Sequence, residues 1–221
     1  MRTRDDVPLP GDPEPRWSAL IAVLAVGGLW LALPEALTVG PTWLFPAVVV
    51  ALLVPTVLTH RTGHHRLNTL CGFAVAGVLT AGLLGSLLLL IAALPAHTEP
   101  PVALLRSAAA LWVTNVLVFA LWYWRLDAGG PYHRERRVGH PEGAFVFPQM
   151  TLAIPPRPEA GAQPWSPTFV DYLFLAFTTS TALSPTDTPV VARWAKLLLM
   201  LQALISLLIL VLLAARAVNI L

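Results

Sequence analysis

The residues of this chain best suited to handling an ion lie in one short stretch, Phe177 to Pro189, which reads FTTSTALSPTDTP. Seven hydroxyl side chains and one carboxylate, Asp187, stand there between two strongly apolar runs. Two arrangements satisfy that many hydrogen-bonding groups. In the first, Thr178, Thr179, Ser180 and Thr181 return their hydroxyls to carbonyls one turn back, while Ser184, Thr186 and Asp187 cap and turn the chain into the next helix. In the second, the hydroxyls line a polar vestibule at a subunit junction, and Asp187 supplies a negative ring that attracts cations. A further polar row follows in the last apolar run. At about 100° per residue, Gln202, Ser206 and Arg216 fall on one side of a helix, with Ile209 between them. Hydrocarbon offers no hydrogen bonds, so Gln202 and Ser206 must face another helix, another subunit or water, whereas Arg216 can snorkel to the interface.

Other chemistries have weaker support. His60, His64 and His65 form an H-x₃-H-H cluster that could offer two imidazoles on one helical face. No Cys or carboxylate joins them, and Arg61 and Arg66 already make the turn cationic, so it reads as a solvated, headgroup-facing loop and no metal site is expected. No histidine sits deep in an apolar run, which argues against a bis-histidine haem, and no cofactor is expected. Gly85 and Ser86 lack a partnered base, and Glu35 is the one acid near the first two runs, so no catalytic residue is assigned and an enzyme is not expected. The single cysteine, Cys71, allows no disulfide within the chain and reads as a buried, inert thiol.

These groups must be positioned by membrane helices. Of 221 residues, 56% are hydrophobic and 12% charged, against about 25% charged in a soluble domain. The fold class expected is all-α, a polytopic transmembrane bundle of about six spans. The net charge of +2 is too small for a nucleic-acid footprint. Residues 1–16, with four prolines and alternating charges, read as a disordered tail. Four spans follow within 17–124: Trp17 to Leu33, Pro41 to about Thr59, Leu70 to Leu94, and Val102 to Trp124. Residues 125–168 form a basic cytoplasmic or interfacial loop, in which AFVFPQMTLAI is too short to span and too apolar to float free. Residues 169–221 form a two-helix hairpin. Its first span, Pro167 to Leu183, takes Ser166 as N-cap, and its second starts near Pro189.

Arginine placement orients the spans. With both termini cytoplasmic, eleven basic residues lie inside and three, Arg106, Arg193 and Lys196, outside, as the positive-inside rule favours. Trp17, Trp43, Trp122, Trp124, Trp165 and Trp194 fall near span ends and read as interface anchors. Gly77, Ala81 and Gly85 recur every four residues and predict a close helix approach. Thr114 and Asn115 lie mid-span, where an interhelical hydrogen bond is expected.

The stretch KLLLMLQALISLLILVLLAARAV, Lys196 to Val218, resembles the inner pore-lining helix of bacterial potassium-channel pore modules, with Ser206 in the place of the hinge glycine. DYLFLAFTTSTALSPTD, just upstream, resembles the pore helix and filter entrance, with Thr178 and Thr179 where such channels keep a threonine pair. Those channels continue with Val-Gly-Tyr-Gly, whose glycines let the backbone aim carbonyls at the ion; here Ser180, Thr181, Ala182 and Leu183 stand instead. The resemblance therefore does not imply a potassium-selective filter. The chain as a whole, through ALWYWRLDAGGP, FVFPQM and AFTTSTALSPTDTP, also looks like a bacterial polytopic membrane-protein family, and that likeness supplies no established activity. A re-entrant pore helix at Phe169 to Leu183 would place the 125–168 loop outside and reverse the arginine bias, so a full crossing is the expectation.

The resulting function is a channel-like, homo-oligomeric inner-membrane protein that passes small ions without potassium-type selectivity. The alternative is a nonconducting scaffold that recruits a cytoplasmic protein partner through the basic loop. The partners implied are the lipid bilayer, further copies of the chain and that protein, with no nucleic acid.

Overall fold

The computed structural model describes residues 14–96, 100–136, 143–151, 165–182 and 187–218. Most of the N-terminal tail, Ser184, Thr186 and the side chain of Arg216 lie outside what is described.

Among the described residues every regular element is a helix, and four helices are long and apolar enough to cross a membrane. The elements are α1 (Trp17–Leu31), α2 (Leu44–Arg61), α3 (His65–Ala96), α4 (Pro101–Leu126), the short α5 (Pro131–Glu135) and α6 (Pro148–Thr151), then α7 (Phe169–Ala182) and α8 (Arg193–Val218). α1 buries Ala19, Ala22, Val23, Val26 and Trp30, one stripe at helical spacing. α2 buries only Phe45 and Val49, because it lies at the rim against α3. α4 is the hub and packs against α1, α3, α7 and α8. Pro101 opens it at a position where no backbone donor is missed.

One end of the bundle, here termed the near end, is fixed by contacts among several helix termini. Arg16, just ahead of α1, donates to Glu135 of α5 at 3.1 Å and to His60 near the end of α2 at 2.9 Å. His65, at the start of α3, stacks on Tyr132 at 3.6 Å. Trp124, at the end of α4, donates to Glu14 at 2.6 Å and meets Phe169, the first residue of α7, edge-on. Trp194, at the start of α8, packs on Phe145. The starts of α1, α3, α7 and α8 and the ends of α2 and α4 therefore share the near end.

It follows that α7 and α8 run parallel. Ala176 and Ser180 of α7 meet Gln202, and Ser180 meets Ser206, so residues advance together along both helices. Two successive crossings would be antiparallel. α7 has 14 residues, about 21 Å at 1.5 Å per residue, and by Pro189 the chain is back at the near end. There Val190 bridges Phe145, with Val146 donating to the Pro189 carbonyl and Val191 to that of Ala144, each at 2.9 Å. Helix α7 therefore does not run from one end of the bundle to the other, as the expected full crossing at Pro167 to Leu183 would: Phe169 and Pro189 both lie at the near end. The start of α1 and the end of α8 consequently lie at opposite ends of the bundle, not at one as expected.

The loop after α4 is folded onto the bundle. Ala128, Gly129 and Gly130 take successive positive φ values of 50°, 80° and 90°, which reverse the chain sharply. A Cβ on Gly130 would sit 2.8 Å from the Arg125 carbonyl oxygen, so glycine is required there. Ala144, Phe145 and Phe147 are buried, as the apolar AFVFPQ segment suggests. Helix α7 is capped by Thr168, not Ser166: Asp171 accepts from both the Thr168 N–H, at 2.7 Å, and its hydroxyl. The expected Gly77/Ala81/Gly85 approach is only partly realised. Gly77 and Ala81 are exposed, and close contact falls at Gly82, where a Cβ would lie 2.4 Å from Phe45, and at Gly85, against Val39.

Candidate functional site

The polar residues of the C-terminal half gather where α4, α7 and α8 meet. Gln202 is the centre. Its Nε2 donates to the Ala176 carbonyl at 2.7 Å and to Ser180 Oγ at 2.9 Å, while its Oε1 accepts from the Tyr123 hydroxyl. Ser206 donates to the Ser180 carbonyl at 2.7 Å and accepts from Trp112 Nε1 at 3.0 Å. Asn115 Nδ2 lies 3.5 Å from Ser180 Oγ and 3.4 Å from the Gln202 carbonyl, completing the link between the three helices. Asn115, Ser180, Gln202 and Ser206 are all at 0% exposure, so no solvent path reaches them within one chain.

Sequence spacing correctly turns Gln202, Ser206 and Ile209 inward, since all three are fully buried. It does not reveal that the seam closes on α4 and α7 of the same chain. The pore-lining expectation for Ser180, Gln202 and Ser206 finds no open surface here; these groups brace three helices. The other hydroxyls follow the local arrangement. Thr178 donates to the Phe174 and Leu175 carbonyls, Thr179 to Leu175 at 2.8 Å and Thr181 to Phe177 at 2.9 Å. Thr179 is buried, whereas Thr178 and Thr181 border the open side of α7. Asp187 is exposed, three residues before the bridge at Val190 and so close to the near end.

The tryptophans divide. Trp17, Trp43 and Trp194 are exposed near helix ends. Trp124 is buried, and Trp122 donates to Thr80 at 2.8 Å, so both tie the bundle together; Trp165 packs on Phe147. The histidines stay apart in role: His60 accepts from Arg16, His64 is hydrogen-bonded to Thr62 and His65 stacks on Tyr132. No group of three potential metal ligands occurs among the described residues.

A second node was not foreseen. Asp127, fully buried, accepts from the Ala144 N–H and from the Tyr172 hydroxyl at 2.6 Å. Arg134 donates to the Trp124 and Asp127 carbonyls, at 2.7 and 3.0 Å, pairs with Glu14 at 3.1 Å and lies over the Tyr172 ring. This node holds the first turn of α7, through Tyr172, against Asp127 and Arg134. Its one signal in the sequence is the LDAGGP reversal, which must be held by something polar. Comparisons with protein-family models, with curated proteins and with solved structures found no match.

Proposed function

We propose that the chain is an oligomeric, channel-like integral membrane protein with five crossings, α1, α2, α3, α4 and α8, and one re-entrant helix, α7. The reading rests on one observation: α7 runs parallel to α8 and ends beside its middle. The 14 residues of α7 span about 21 Å at 1.5 Å per residue, short of a hydrocarbon core of about 30 Å. A helix that stops there leaves its last carbonyls without intrahelical partners, and hydrocarbon cannot supply any. Its C-terminus also carries the negative end of the helix dipole, which favours a cation. Thr178 and Thr181 flank that end.

The basic residues support entry of α7 from the cytoplasmic side. Arg16, Arg61, Arg66, Arg125, Arg134, Arg136, Arg193 and Lys196 belong to near-end termini and turns, whereas Arg106 and Arg216 belong to the far half of α4 and α8. Among the described residues, that eight-to-two division is the positive-inside pattern with the near end in the cytoplasm. A half-entering helix is therefore compatible with the arginine bias, provided it enters from within. Because the polar groups of one chain are sealed, the conduction path runs between copies, along the open faces of α7 and α8, where Phe174, Leu197 and Leu204 are more than half exposed. The path passes small cations without potassium-type selectivity.

The scaffold reading loses support because Arg134 and Glu135 of the basic loop are spent on internal contacts. The test is cation flux from liposomes holding the purified chain, with Thr181→Cys in a Cys71→Ala background. Flux that a membrane-impermeant thiol reagent blocks in Thr181→Cys is the expected result. Absence of flux, or flux untouched while residue 181 stays unlabelled, overturns the reading.

A further inference from the structure

A second site lies in the other half of the bundle, among α1, α2, α3 and α4 at the near end. A cavity of about 270 Å³ opens there, with an apolar body that includes Val23, Leu53, Val75 and Leu121, and a cationic mouth formed by Arg16, Arg61 and Arg125. The mouth reaches the surface beside Trp17 and Val57, both exposed.

Among the described residues, charge in this mouth is not balanced. The described ion pairs are Arg16 with Glu135 and Arg134 with Glu14. Glu135 thus offsets one of the three cavity guanidinium groups, and no described carboxylate pairs with Arg61 or Arg125. Arg125 is the telling residue. It is partly buried, and among the described residues its guanidinium has neither an ion pair nor a hydrogen bond; its neighbours are the Trp124 ring, at 5.3 Å, and the thiol of Cys71. Arg16 adds a buried Nε with no described partner, although its two terminal nitrogens are engaged. A cation drawn into apolar surroundings without a counter-charge is costly, and an arginine fork matches phosphate oxygens.

The backbone makes room for this placement. A Cβ built on Gly72 would lie 1.8 Å from Arg125 Nη1 and 2.0 Å from its Cζ, so the guanidinium rests on the bare face of α3 at Gly72. Any side chain at position 72 forces the charge to move.

We infer that this cavity binds an anionic phospholipid, its phosphate between Arg125, Arg16 and Arg61 and the upper part of one acyl chain in the apolar body. The lipid is favoured over free phosphate because the cationic and apolar surfaces are continuous and the mouth opens at the level of Trp17, where headgroups meet hydrocarbon. The site shares no lining residue with the α4–α7–α8 cluster and stands whether or not the chain conducts.

Native mass spectrometry of the full chain in detergent tests it, with phosphatidylglycerol, phosphatidylcholine and inorganic phosphate titrated separately. Wild type is expected to retain one phosphatidylglycerol in preference to phosphatidylcholine. Arg125→Gln should weaken retention about tenfold, the equivalent of about 1.4 kcal/mol for one charge-assisted hydrogen bond. Gly72→Ala, which keeps every charge but displaces the guanidinium, should weaken it as well and serves if Arg125→Gln fails to fold. Arg66→Gln, outside the cavity, should not. Equal retention of the two lipids, retention unchanged in both cavity variants, an equal loss in Arg66→Gln, or phosphate alone binding as tightly would each overturn the assignment.

Discussion

The two halves of this bundle obey opposite rules. From α1 to α4, successive helices alternate in direction, are joined by short connections and bury mainly aliphatic surface. From α7 to α8, successive helices run the same way, and the space between them and α4 is filled by amides, hydroxyls, an indole and a phenol. The contrast shows what a half-depth helix requires. An alternating bundle satisfies its backbone within each helix, so apolar packing suffices. On the re-entrant reading the end of α7 needs partners for its last carbonyls, and Ser206 of α8 supplies one to the Ser180 carbonyl, while Gln202 adds a donor to the Ala176 carbonyl one turn earlier.

The sharpest break of the comparison concerns direction. With α7 re-entrant, a protease-sensitive tag after Leu221 and one before Met1 lie on opposite sides of the membrane. In sealed right-side-out vesicles protease should remove the C-terminal tag fully and leave the N-terminal tag intact; equal protection of both would restore six crossings. A smaller effect is expected at Gln202. Gln202→Leu leaves the buried Tyr123 hydroxyl without its acceptor and removes a donor from Ser180 Oγ, and should cost about 2 kcal/mol of stability, read as a lowered midpoint of unfolding in mixed micelles. The smallest effect distinguishes the two halves. Arg125→Gln removes a charge that no described group balances, so in lipid-free detergent stability should change by less than about 0.5 kcal/mol or rise slightly. A loss as large as that of Gln202→Leu would mean that Arg125 braces the bundle as Gln202 does.

Much of the helical layout is legible from apolar run length and proline position: α4 begins within one residue of the expected Val102, and α1 begins at the expected Trp17. The inward turn of Gln202 and Ser206 is equally legible, because periodicity alone fixes which residues share a helix face. Direction is not. Hydropathy counts apolar residues and charge counting assigns sides, but neither distinguishes two antiparallel helices from two parallel ones when both leave most arginines at one end of the bundle. The missing information lay in long-range contacts such as Phe145 with Val190, which couple positions 45 residues apart and leave no local pattern. The Arg125 site escaped for a related reason. An arginine at the end of an apolar helix looks like an ordinary interfacial anchor, and only its neighbours reveal that no described carboxylate pairs with it.

The parallel run of α7 and α8 also constrains how the molecule is made. A helix that ends in hydrocarbon with an exposed row of carbonyls is not a stable intermediate on its own, and its main partners, Gln202 and Ser206, are synthesised after it. On the re-entrant reading, α7 therefore reaches its final packing only after the segment that follows it in the chain has supplied Gln202 and Ser206.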